Sequence, residues 1–537
     1  MSSTSLSTQE SIKKSTPASE HEYPPSAAVL AEKAPISGAE PHSNHPLSKL
    51  SSGRKHFLLF IFCLSNFVDV CNVSGVAVAS SHIAFDIKLD VSQVVWIITA
   101  YSLSFASFLL FSGRVADLVP AQYVFQVGFF GLGVMSLIQS FVTQNKYAFL
   151  VVRAIAGLMG SMTIPSGYHM TGHMFPHPLE RRKKISLLGL AGGLGNVLGL
   201  VLAGVTMLAS YRWFFRLMAI ISFIFSIAAV FLIPRLPSSH TAADGPRWKR
   251  LDIVGVILMA GGLSTFILGL TQGPIDGWNK ASFIAPFVIS IVLAISFFLY
   301  EAHISPRRAV LPATVWKIRN MKVASIVTLM PFSFWATSQL LYATFWQVRL
   351  HWKPLHVAAA IIPQGITMLL IGAVVQAFPS IIYKPRRTIP VAAVFVMAAE
   401  VLMYFSDGGT GKNYWKFCFP AFVMGSAGAI CMYMASGINL IAFCPLRWAV
   451  LLAIAQVGGA IALAIQASLS GPSLYDWKKN ARSFWYQFGA TALVAIIYVV
   501  FYKTPSEPEE EHRLTRERIA ELEEKHALKQ AGALPSV

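Results

Sequence analysis

The sequence predicts an all-α polytopic membrane protein with fourteen spanning helices. Three observations carry that prediction. Of 537 residues, 55% are hydrophobic and only 13% are charged, against about 25% charged in a soluble domain. The mean hydropathy is +0.57. The apolar residues also fall into runs of about 20, the length at which a helix rising 1.5 Å per residue crosses a bilayer core of about 30 Å.

On that template the spans lie at about 56–80, 93–113, 121–141, 147–168, 185–208, 214–234, 251–270, 281–300, 322–346, 355–378, 388–405, 416–438, 447–470 and 484–502. The first 50 residues are rich in Ser, Pro and His and read as a disordered tail. No cleavable signal is legible, so the first span is expected to act as the insertion signal. After residue 503 the charged stretch EPEEEHRLTRERIAELEEKHALKQ reads as a solvated helix with i,i+4 ion pairs. The loop at 301–321 is long and basic and separates eight spans from six. The expected division is a cytosolic tail (1–55), a six-helix bundle (56–234), an extra helix pair (251–300), a cytosolic linker (301–321), a second six-helix bundle (322–502) and a charged cytosolic tail (503–537). Six-plus-six halves are the arrangement of facilitator-type transporters.

Charge sets the orientation. With the N-terminus inside, 30 of the 43 Lys and Arg fall on the cytosolic side, 12 outside and one within a span, as the positive-inside rule requires. The net charge of +18 sits in short loops between apolar runs, which suits topology and anionic lipid rather than nucleic acid. Four of the five cysteines, Cys63, Cys71, Cys418 and Cys431, lie inside spans and Cys444 just past one. That placement and the odd number argue against a disulfide framework.

Four stretches carry a resemblance to one family. The segment WIITAYSLSFASFLLFSGRVADL (96–118) ends in Gly113, Arg114, Val115, Ala116 and Asp117. It resembles the second helix and following loop of the major facilitator superfamily, G-x-L-A-D-R-x-G-R-K. Leu118, Ala121 and Gln122 stand where the family has basic residues. FLVVRAIAGLMGSM (149–162) is similar to the family's fourth-helix motif through Arg153, Gly157 and Gly160. GLVLAG (199–204) resembles the antiporter signature of the fifth helix, with Leu200 in place of its proline, and YRWFFRL (211–217) the stretch that follows it. NFVDVCNVSGVAVAS (66–80) is similar, through Asp69, to the first helix of the fourteen-helix drug:proton antiporter branch, although Ser74 and Val78 replace its Asn and Pro.

The resemblance implies a secondary transporter, a proton-coupled efflux pump, with a small-molecule substrate and protons as partners and no cofactor. It implies that Gly113, Arg114 and Asp117 form a conformational latch at the cytosolic face. It also implies that Gly195, Gly199 and Gly204 let the fifth helix pack closely against its neighbours. A monomer in the plasma membrane is the expectation, with a vacuolar or other internal membrane as the alternative.

Two of these positions stand out on physical grounds alone. A charge at mid-bilayer costs at least about 2.5 kcal/mol and is a functional candidate by default. Asp69 lies about 20 Å from the cytosolic edge of the first span, and Arg153 about 10 Å from the outer edge of the fourth. In a core of about 30 Å the two are nearly level. An acid and a cation at one depth suit a proton-sensitive pair, since burial disfavours a charged carboxyl and a nearby cation favours it. Glu400 is a weaker coupling candidate, read first as a buried acid bonded to a neighbour. Tyr101, Phe334, Trp335, Tyr342 and Tyr433 are candidate cavity aromatics, and such walls suit an amphiphilic cargo.

The alternatives are an importer or proton symporter of a small solute or inorganic species on the same fold, and a membrane enzyme using His169, His173 and His177. No second HxxxH box, nucleophile elbow or phosphate loop supports the enzyme, and no metal site is expected. The sequence leaves glycolipids, mycotoxin-like metabolites, organic acids and drugs equally open as cargo. An even span count places both termini inside, so tags at residues 1 and 537 should resist labelling in intact cells. Labelling of either from outside would overturn the count of fourteen.

Overall fold

The computed structural model describes residues 45–89, 93–142, 144–235, 252–305, 309, 311, 316–317, 320–378, 384–441, 445–470 and 476–503. Most of both terminal tails, most of the 301–321 linker and the side chain of Asp117 lie outside the described residues.

Fourteen helices of 19 residues or more fill the described residues: α1 (Ser52–Asp86), α2 (Trp96–Leu118), α3 (Ala121–Gln139), α4 (Lys146–Met174), α5 (Pro178–Thr206), α6 (Tyr211–Leu232), α7 (Ile253–Asp276), α8 (Ala281–His303), α9 (Met321–Val348), α10 (Pro354–Ala377), α11 (Pro385–Phe405), α12 (Phe419–Ile441), α13 (Pro445–Ser470) and α14 (Arg482–Phe501). Each matches one expected span, with ends that differ by up to seven residues, most at the start of α5. Among the described residues thirteen of them are long and apolar enough to cross a membrane, and α2 carries an uncharged run from Trp96 to Gly113.

Helix starts follow the local chemistry. Asn145 accepts from the amides of Tyr147 and Ala148 at the start of α4, and Asp252 accepts from Gly255 N at 2.7 Å at the start of α7. Proline stands in the first turn of α5, α10 and α11, where its missing N–H costs no hydrogen bond. The packed chain begins earlier than the expected boundary at residue 56. Helix α1 starts at Ser52, and Leu47 before it is buried in the main core. An apolar side chain that finds a protein surface leaves water.

Helices α1 to α6 form one bundle, in which α1 packs most extensively on α5 and α4 on α2 and α3. Helices α9 to α14 form the second, centred on α9 with α12, α13 and α14 around it. The bundles meet where α5 packs on α10, α2 on α13 and α1 on α9. The pair α7–α8 lies beside this seam, with α7 touching α2 and α13. Helix α8 turns Val288, Val292, Ile295 and Leu299 outward, as a helix facing acyl chains does.

Polar side chains tie the bundles together. Gln347 of α9 donates to Val78 O at 2.7 Å and its carbonyl lies 3.2 Å from His82 Nδ1. Gln339 donates to Asn196 Oδ1 at 3.2 Å. Gln339 and Asn196 lie nine and ten residues from their helix ends, so this contact sits about 14 Å deep, near the middle of the bilayer core.

Helix α5 runs close to α1 because it carries glycine at the contact. A Cβ on Gly195 would lie 2.6 Å from Phe67 O, and one on Gly199 2.5 Å from Ser74 Oγ and 2.9 Å from Cys71 Cα. Cys71 and Ser74 both donate to Gly195 O across this contact. Gly204 meets α10 instead, 2.9 Å from Ala358 Cβ by the same measure. Small residues at such contacts let backbones approach. Gly195→Val should therefore cost about 1–3 kcal/mol by overpacking, read as a lowered thermal midpoint in detergent. An unchanged midpoint would show that α1 and α5 can separate freely.

Candidate functional site

Three helices bring their polar side chains together inside the first bundle. Asp69 of α1, Tyr101 of α2 and Arg153 of α4 are all fully or almost fully buried, at 1%, 0% and 0% exposure. The Tyr101 hydroxyl donates to Asp69 Oδ1. The Arg153 guanidinium lies 4.8 Å from the centre of the Tyr101 ring, within range of a cation–π contact. Arg153 Nε donates to Ile97 O at 2.9 Å, one Nη to Asn72 O at 2.9 Å and the other to Gln139 Oε1 at 3.5 Å.

Asp69 and Arg153 share a site but make no direct ion pair among the described residues; the tyrosine stands between them. The guanidinium instead spends its donors on two backbone carbonyls and an amide, which satisfy its planar fork.

The site has room because α4 carries glycine there. A Cβ at Gly160 would lie 2.5 Å from Asp69 Oδ1 and 2.6 Å from the Tyr101 hydroxyl, and one at Gly157 would collide with the Tyr101 carbonyl. The fourth-helix glycines therefore have a spatial reason: they admit the tyrosine.

The five aromatic candidates divide among three places. Tyr101 belongs to the Asp69 site rather than to an open cavity wall. Phe334 and Tyr342 turn into the second bundle. Tyr342 packs within 5.3 Å of Trp346, Phe422 and Trp477, and its hydroxyl lies 2.9 Å from Ser406 Oγ. Both are interior packing residues because they share the face of α9 that meets α11, α12 and α14. Trp335 falls one turn before Gln339, on the helix face that meets the first bundle. Its indole donates to Ser426 Oγ at 3.4 Å, and Phe332 lies against both Trp335 and Tyr433, at 5.6 and 5.7 Å. Trp335, Phe332 and Tyr433 thus form one aromatic group between α9 and α12.

Glu400 is buried in α11, with Thr491 Oγ1 donating to its Oε1 at 3.4 Å and no partner for Oε2 among the described residues. Gly113 and Arg114 lie in the last turns of α2, and one Arg114 Nη donates to Ala309 O at 3.2 Å, in the connection to the second bundle. His169 and His173 have ring centres 4.8 Å apart, His45 stacks on His173 at 4.3 Å, and α4 ends at Met174 before His177. No cluster of three or more potential ligands is placed to hold a metal among the described residues.

Sequence reasoning missed the amides. Gln139 accepts from Arg153 through its side-chain amide, Gln339 and Asn196 join the bundles, and Gln364 donates to Ser338 Oγ at 2.7 Å beside that junction. A glutamine or asparagine in an otherwise apolar span is itself a signal, because it must find partners in the interior.

Comparison with known proteins agrees with the geometry. Residues 62–360 match the family model of the Major Facilitator Superfamily. The chain is similar to puromycin resistance protein pur8 of Streptomyces alboniger, 25% identical over 83% of this chain and 86% of that one. It is similar to efflux pump terJ of Aspergillus terreus, 24% identical over 65% and 68%. It is similar to a low affinity ammonium transporter of Saccharomyces cerevisiae, 24% identical over 65% and 68%. Among solved structures, peptide transporter POT in complex with sulfate superposes with a TM-score of 0.60 at 17% identity, over 86% of this chain and 96% of that one, a likeness of fold. Relatives of this kind are transporters rather than enzymes, several of them named as efflux pumps or resistance proteins. The chain belongs to the major facilitator superfamily.

Proposed function

We propose that this transporter is a proton-coupled exporter of an amphiphilic small molecule, a drug, secondary metabolite or glycolipid. The observation that carries the reading is Asp69, an acid buried at mid-span whose hydroxyl donor, Tyr101, also meets a cation. Such a group is costly in hydrocarbon unless it has work to do. Asp69 takes and releases the proton, and Arg153 sets the local field in which it does so. Glu400 is the reserve candidate, with one hydroxyl contact and no cation touching it among the described residues.

Cargo occupies the seam near mid-bilayer, where Trp335 and Tyr433 offer aromatic surface and Gln339 and Asn196 offer hydrogen bonds. Exchange between open states uses Gly113, Arg114 and Asp117 as the cytosolic latch, with Arg114 already tied to the connection between bundles. The α5 glycines, Gly195, Gly199 and Gly204, let α5 slide against α1 and α10 during that exchange. The cation asymmetry of the loops supports cytosolic termini, and a monomer in the plasma membrane is the expected form. The ammonium transporter among the relatives favours a second reading, movement of a small solute down or with a proton gradient. Flux in everted vesicles with the pH gradient set in each direction separates the two.

Asp69→Asn should abolish transport of amphiphilic fluorescent probes driven by a pH gradient, while probe binding to the purified protein persists. Retained gradient-driven transport would remove Asp69 as the carrier and leave Glu400 to be tested. Asp117→Asn should slow turnover severalfold with nearly unchanged probe affinity, since the latch lies about 20 Å from the seam site. A large loss of affinity at normal turnover would refute the latch.

A further inference from the structure

We propose that Tyr101 is a positioning residue of the proton site: its hydroxyl holds the Asp69 carboxyl while its ring holds the Arg153 charge. The inference rests on the reading of Asp69 as the proton carrier, and adds the side chain that links carrier to cation.

The geometry comes from three helices at once. The hydroxyl donates to Asp69 Oδ1, and the guanidinium lies 4.8 Å from the ring centre. Arg153 is itself fixed from three sides, by Ile97 O, Asn72 O and Gln139 Oε1. One of these anchors, Ile97, and the ring-bearing Tyr101 stand four residues apart on α2, so they share a helix face. Helix α2 therefore positions the cation with a carbonyl and a ring, and the acid with a hydroxyl one turn along. Gly157 and Gly160 of α4 leave the space that Tyr101 and Asp69 occupy. The titratable or charged groups facing the pair are Arg153 from α4 and, on α1 itself, Cys71. Cys71 is engaged elsewhere, donating to Gly195 O at 3.3 Å.

The consequence is mechanical as well as electrostatic. A hydrogen bond to the charged form of an acid favours that form. If α2 moves relative to α1, Asp69 loses its donor and the ring carries Arg153 away with it. Protonation of Asp69 and the position of α2 are then linked, which is what a coupled exporter needs between its proton and its conformational change.

The test needs no identified cargo. Dicyclohexylcarbodiimide modifies protonated carboxyls in hydrocarbon. Its reaction with Asp69 is followed by mass spectrometry against pH on the full-length protein in liposomes, with Glu400 as internal reference. Tyr101→Phe keeps the ring and removes the donor. It should move the midpoint of Asp69 modification upward by about one pH unit, the scale of a hydrogen bond to a charged group, and leave the Glu400 profile in place. Gly160→Ala keeps all three polar residues but forces the hydroxyl and carboxyl apart, and should shift the midpoint in the same sense. The proposal is overturned if both variants give the wild-type Asp69 profile, or if the Glu400 profile moves equally. Failure of the carrier reading is separate: Asp69→Asn would then retain gradient-driven transport whatever the modification profiles show.

Discussion

Hydrocarbon offers no hydrogen-bond partner, and most of this structure follows from that. Every backbone amide in the bilayer must be satisfied within its own segment, which leaves helices as the spanning element. Every polar side chain in those helices must be satisfied by a neighbour or by function. Arg153 shows the constraint at its most demanding, a guanidinium at 0% exposure whose donors end on two carbonyls, an amide and the face of a tyrosine. Where helices must come closest to meet that demand, the sequence has glycine. Gly157 and Gly160 open the Asp69 site, and Gly195 and Gly199 bring α5 against α1.

The same constraint explains why the two bundles differ in character. The first carries its polar groups as a compact charged site between α1, α2 and α4. The second carries, besides Glu400, uncharged ones, a ladder of hydroxyls and amides along α9. Gln487 donates to Ser333 O and to Thr337, Gln364 to Ser338, and Thr328 to Ser436. A transporter with an acid–tyrosine–arginine site in one half and, Glu400 apart, neutral polarity in the other can separate proton handling from cargo contact. The seam, where Gln339 meets Asn196, is where the two kinds of chemistry touch.

The extra pair α7–α8 is a peripheral addition in physical terms. Helix α7 spans from α2 to α13 and so covers one edge of the seam, with Ser468 Oγ donating to Leu270 O at 2.8 Å. Helix α8 faces outward over most of its length. The six-plus-six core makes its contacts independently of α8, which is consistent with a likeness of fold to peptide transporters that extends over 86% of this chain.

The sequence by itself determined the number, length and order of the helices, because apolar run length is a direct reading of bilayer thickness. It also marked Asp69, Arg153 and Glu400, because a charge in an apolar run is visible without any structure. It placed Arg153 and Asp69 level with each other by helix rise alone. Only the tertiary structure decided how they meet. Whether an acid and a cation at equal depth touch depends on the rotation of two helices and on what a third places between them, and run lengths hold no information about rotation. Tyr101 and Tyr342 look alike in sequence, each an aromatic in an apolar span. Tertiary packing turned one onto a carboxyl and a guanidinium and the other into a cage of aromatic rings. The difference lies in which neighbouring helix carries a glycine at the right level and which carries a ring, and that is settled by three-dimensional contact between segments far apart in the chain.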